Sequence, residues 1–244
     1  MGERSWSWRA RAVAGAAVLA AAAGTAQAAT ACGPSIEPGM ERCVAGLPAD
    51  ALARMQQAQR ASNWCWAASI SIVLRRYGVQ VAQEDVVRAH YGSAVNLGAD
   101  AGAIGGMLNR SWTDSGGRSL SVAAAPLPRW RRHLGLLAPE VLEDLDGERP
   151  LLLGAQQHAT VLVQVVYDRP VDAGTGTARL VRAVVLDPAA DLGLRTARAG
   201  ELQPELLTRI EVQANEAAVA MAAVQPRGAL PTLLARRDEP TLQR

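Results

Sequence analysis

From Trp66 the apolar residues recur at Ile70, Val73 and Tyr77, spacings of 4, 3 and 4 that draw one face of a helix. Cys65 opens this stretch. Ser62 and Asn63 are candidate N-caps, Arg75 and Arg76 suit the last turn, and Gly78 supplies the stop. Before it, residues 51–60 fit a short helix or turn. After it, Gln83 to Tyr91 reads as a helix ended by Gly92. Ala99 to Asn109 reads as a third, weakened by Gly102, Gly105 and Gly106. Pro139 suits the first position of a further helix, with Glu140, Glu143 and Asp144 in its early turns and Gly147 at its end.

Past that helix the period shortens. Leu151–Leu153 reads as a buried strand. His158 begins a long apolar run, Ala159 to Tyr167. A loop with Pro170, Gly174 and Gly176 separates it from a second β-rich run, Arg179 to Leu186, closed by Asp187-Pro188. Residues 158–187 therefore predict an antiparallel hairpin with a long loop. With Tyr167 set opposite Arg179, His158 falls one residue from Asp187 on the facing strand. Leu202–Thr208 is expected to be helical and Ala217–Val224 a strand. The expected fold class is α+β: an N-terminal helical part carrying the Cys65 helix, packed on a C-terminal antiparallel sheet. The expected organisation is a signal peptide over 1–28, an irregular segment over 29–50, the folded domain over 51–225 and a loose tail over 226–244. Residues 111–138 read as irregular, their arginine cluster before His133 as a solvated face.

Composition narrows the function. The chain has 244 residues, 49% of them hydrophobic, and a net charge of +2. Such a balance lacks the strongly basic face of a nucleic-acid binder. All 25 basic residues are arginine, which excludes Schiff-base lysine chemistry and a P-loop lysine. Arg9 and Arg11, the short apolar run Val13–Ala23 and Ala26-Gln27-Ala28 form the three parts of a secretory signal. The run is too short to span a bilayer, so no stable membrane anchor is expected. Of the three cysteines, Cys32 and Cys43 flank a Pro- and Gly-bearing loop and are the natural disulfide in an oxidising compartment. Cys65 is left over, as a reactive thiol or an intermolecular link. In the first turn of a helix it feels the positive end of the dipole, which favours thiolate. No metal-ligand spacing is present, and His90 and His133 lack neighbouring ligand residues.

The run Gln59-Arg-Ala-Ser-Asn-Trp-Cys-Trp-Ala-Ala-Ser69 resembles the nucleophile helix of the papain-like cysteine peptidases. It is most similar to secreted bacterial members such as effector proteases and bacteriocin-leader peptidases. The resemblance implies a Cys65–His158–Asp187 triad. It also implies an oxyanion-hole amide from Gln59, which stands six residues before Cys65. A cysteine nucleophile needs a base, and the base an orienting acceptor; Asp187 would fill that place, and an asparagine oxygen there would still accept. Trp64 and Trp66 are assigned to packing, with wall contacts to substrate as an alternative. The expected substrate is a protein or peptide; no metal or organic cofactor is required, and the oligomeric state is not read. Transglutaminase-like or deamidating acyl transfer fits the same triad. A non-catalytic secreted binding module and a cell-wall amidase are the other readings, though the amidases usually place a histidine third.

Overall fold

The computed structural model describes residues 30–127, 137–172 and 178–213. The expected signal peptide, His133, the expected strand over 217–224 and the tail lie outside these residues. The chain is α+β, with a large antiparallel sheet and helices packed on it.

The first departure from expectation is at the N-terminus. Residues 29–50, expected to be irregular, hold β1 (Ala31–Pro34) and β2 (Met40–Gly46), paired with Cys32 opposite Cys43. The two form a disulfide. The Pro and Gly residues that suggested irregularity sit at the strand end and in the turn, where Gly39 takes a positive φ of 76°. Helix α1 (Ala49–Met55) follows, then α2 (Cys65–Arg76), α3 (Gln83–Tyr91) and α4 (Ala101–Leu108). Strands β3 (Ser111–Thr113) and β4 (Ser119–Pro126) form a hairpin within the region expected to be irregular. The Asp114 carboxylate closes its turn by accepting the backbone N–H groups of Gly116 and Arg118. Helix α5 (Pro139–Asp146) and the strands β5 (Leu151–Ala155), β6 (His158–Pro170) and β7 (Arg179–Asp187) match the sequence reading closely.

The expected helix at 202–208 is corrected. A single 3-10 turn (Ala199–Leu202) ends before Pro204, and the chain leaves as β9 (Leu206–Gln213). Proline has no N–H to continue a helix. Leu206 to Thr208 instead pair with β5, while Thr208 to Gln213 pair with β4. The sheet therefore draws strands from both ends of the chain, not from the C-terminal part alone.

β6 is its spine. One edge pairs with β7; the other is shared, first by β5 along 158–162 and then by β2 along 164–170. The handover falls at a bulge at Val163. There Gly46 approaches so closely that an added Cβ would overlap Val163 O and lie 2.6 Å from Gln164 Cα. The bulge also reverses which residues face which layer. Before it, Ala159, Val161 and Val163 join the core under α2, with Trp66, Ile70 and Val73. After it, Val165 and Tyr167 join the opposite core under α5, with Val141 and Leu145. Both faces of β6 are thus covered, which is why it reads as a continuous apolar run.

Candidate active site

Cys65 is the first residue of α2 and is half-buried. The expected caps do not cap: no side chain bonds the helix start, and the N-cap position is Trp64. Ser62 and Asn63 are committed elsewhere. Asn96 donates to the Ser62 hydroxyl and accepts the Asn63 backbone N–H, while the Asn63 amide donates to Asn96 O. The two tryptophans extend this seam. The buried indoles of Trp64 and Trp66 donate to Val95 O and Leu97 O, at 2.9 and 3.1 Å. They pack as expected, and in addition hold the irregular segment 94–100 beside the start of α2. His90 packs edge-on against the Trp66 ring.

His158 follows a two-residue turn. Gln156 and Gln157 both take positive φ, 52° and 60°, the backbone of a primed hairpin turn, and Ala155 faces His158 across it. On its other side β6 meets β7, and here the expected register is corrected: Asp168, not Tyr167, faces Arg179. An extra residue in β7 at Val181 and another in β6 at Val163 offset each other, so Val161 faces Leu186. Asp187 consequently sits beside Thr160, and His158 lies two residues further along the same face. An even displacement keeps both side chains on one face, where a one-residue slip would have separated them. His158 Nε2 is 2.8 Å from Asp187 Oδ1. A carboxylate can only accept, so Nε2 carries the proton and Nδ1 is left to face Cys65.

The electrostatics follow from these contacts. Burial pushes the Cys65 thiol up. Its hydrogen bond with the His158 imidazole and the backbone N–H groups of Ala159 and Trp66 outweigh burial, and the net shift is downward. The bond to Asp187 and then the bond to Cys65 raise His158 to about 9, against burial. Burial alone would raise Asp187, but bonds from His158, Ala189 N–H and Arg195 hold it well below the usual carboxylate range.

Arg195 was not singled out from the sequence. It lies on β8 (Gly193–Thr196), opposite Val185, and so shares a face with Asp187 one strand over. Its Nε reaches Asp187 Oδ2 at 2.7 Å, and its guanidinium also binds the buried carboxylate of Glu201. Gln83 was likewise missed. Its buried amide accepts Arg60 N–H at 2.9 Å and donates to Ala58 O at 2.8 Å, bracketing Gln59. Gln59 N–H donates to Pro188 O, tying this loop to the end of β7. The Gln59 side-chain N–H2 group is turned into its own loop, on Ala61 O and Ser62 O at 2.9 Å each.

The other acids near the hairpin are engaged or remote in role. Asp168 forms a two-pronged ion pair with Arg42, and Asp191 is an exposed turn residue with φ of 65°. Cys32, Glu41 and Cys43 cluster, but both sulfurs are spent in the disulfide. Among the described residues no helix is long and apolar enough to cross a membrane. Comparison with family models and with curated proteins gives no match for this chain.

Proposed function

We propose that this protein is a cysteine-type peptidase of papain-like architecture, working through Cys65, His158 and Asp187. The observation that carries the reading is the convergence of three separate elements, the start of α2, the start of β6 and the end of β7. Together they set a thiol against an imidazole whose other nitrogen is held by a buried carboxylate. His158 takes the thiol proton, and the thiolate attacks a peptide carbonyl. The Cys65 backbone N–H, at a helix start with no side-chain cap, faces the developing oxyanion. Gln59 is the second donor once one of its two N–H bonds to Ala61 and Ser62 is released. His158 then protonates the leaving amine, water resolves the acyl-enzyme, and Asp187 keeps the imidazole in the required tautomer throughout. The disulfide and the N-terminal sequence pattern fit a secreted or periplasmic setting.

The test is labelling with an epoxysuccinyl peptide, read by intact mass and peptide mapping, alongside casein cleavage. We expect stoichiometric label on Cys65, and a folded but inactive Cys65→Ala. Cleavage that survives complete alkylation of Cys65 would overturn the proposal. Incorporation of an added amine in place of water would move it to transfer.

A further inference from the structure

Four ionisable side chains alternate in sign across the sheet: His158 on β6, Asp187 on β7, Arg195 on β8 and Glu201 in the 3-10 turn. Each contacts the next through a hydrogen bond of 2.8 Å or less. The register places the first three on one face of three adjacent strands. The three behind His158 are all more buried than it is. The His158 side chain is 27% exposed, whereas Asp187 is 0%, Arg195 13% and Glu201 5%. The outer pair is built with care. Glu201 takes the Arg198 backbone N–H as well as Arg195, and Arg195 also donates to Thr196 O. Neither residue is needed by the acyl-transfer steps above, yet both occupy buried volume next to the orienting acid.

We propose that Arg195, braced by Glu201, is a positioning residue of this site. It fixes the Asp187 carboxylate and offsets its charge, so that the thiolate–imidazolium state of Cys65 and His158 ends at lower pH than Asp187 alone would allow. This rests on the cysteine-peptidase reading of the site. A lone buried carboxylate beside His158 would hold the imidazolium proton tightly and make it a poor acid toward a leaving amine. A cation on the far side of the carboxylate weakens that hold; an anion behind the cation restores part of it. The charged groups that bear on His158 are Cys65 from α2 and Asp187 from β7. Behind Asp187 stand Arg195 and Glu201, and Arg198 faces Glu201.

The experiment needs no substrate. The rate of Cys65 modification by iodoacetamide is followed by intact mass from pH 4 to 11. The wild type, Arg195→Met, Arg195→Lys and Glu201→Gln are compared after a circular dichroism check of folding. In the wild type we expect an acid inflection from thiolate formation and an alkaline one near 9, where His158 loses its proton. Arg195→Met should move the alkaline inflection up, and Glu201→Gln should move it down, each by on the order of one pH unit for a unit charge one strand away. Arg195→Lys keeps the charge and should restore the wild-type position. A scaffolding role would instead loosen Asp187 in both variants and move both inflections down. Shifts of the same sign, or none, overturn the proposal. If Arg195→Met does not fold, Glu201→Gln and Arg195→Lys decide it: a raised or unmoved inflection in Glu201→Gln, or a lowered one in Arg195→Lys, overturns it. A wild-type profile with a single thiol inflection and no second limb would sink the Cys65–His158 reading itself, a separate outcome.

Discussion

Replacing Asp187 by asparagine is expected to be severe, contrary to the expectation that an amide oxygen would serve. Asp187 Oδ1 accepts from His158 Nε2 and Ala189 N–H, both at 2.8 Å, and Oδ2 accepts from Arg195 Nε at 2.7 Å. Every neighbour is a donor. An asparagine offers one acceptor and one N–H2 group, so in either orientation a donor faces a donor. The loss combines a charge-assisted bond, worth about 1.5–3 kcal/mol, with an unpaired buried donor, worth about 1–3 kcal/mol. Because Arg195 keeps Glu201, the low end applies, about 2.5 kcal/mol in total. For a domain of this size that lowers Tm by roughly 5–10 °C. The second arm is Asp187→Asn combined with Arg195→Gln. The new glutamine oxygen accepts from the asparagine N–H, and its own N–H2 group donates to Glu201. Thermal and urea unfolding of the two single variants and the double variant should give a favourable coupling of at least about 1 kcal/mol. Strict additivity, or an Asp187→Asn protein within about 2 °C of wild type, would refute the reasoning.

Further predictions follow from the same contacts. Gln83→Leu keeps the volume but strips the Ala58 and Arg60 backbone groups of their partner. Cleavage of casein should fall by about tenfold or more while iodoacetamide still modifies Cys65 at the wild-type rate; equal losses in both would refute the clamp. Gly46→Ala should cost about 2–4 kcal/mol in urea unfolding, because its φ of 151° and the overlap with Val163 and Gln164 leave a methyl no room. The raised His158 stabilises the fold fully below its ordinary 6.5 and loses that contribution as pH rises towards about 9. The lowered Cys65 does the reverse, gaining towards its ordinary 9.0. The opposed slopes offset each other, so wild-type stability should change less over that interval than that of Cys65→Ala, which should lose stability as pH rises from 6.5. A flat profile in Cys65→Ala would show that Asp187 does not hold the His158 proton.

What the sequence made legible was local. The helix at Cys65 and the hairpin from His158 to Asp187 announce themselves through period and through their end residues, and both chemistry-bearing ends were visible. Arg195 and Glu201 carried no such signal: a charged residue on a four-residue strand reads like any surface arginine until the register sets it beside Asp187. β1 and β2 were hidden because neither shows a clean alternation, and their pairing is with each other and with residues 164–170, far along the chain. Leu202–Thr208 failed for a different reason. Its leucines satisfy a helical spacing, but Pro204 and the open edges of β5 and β4 decide for a strand.

The two bulges leave a mark on how this site can change over generations. Val163 and Val181 are each an extra, unpaired residue on one strand, and the pairs on either side of them hold without them. Losing either would close its bulge and leave Val161 facing Leu186, so His158 and Asp187 would keep to one side of the sheet. A residue lost from the paired part of β6 beside the bulge would be made good by drawing Val163 into the ladder. Each bulge is thus a spare residue, and related chains should differ by single residues in β6 or in β7 without parting the two side chains.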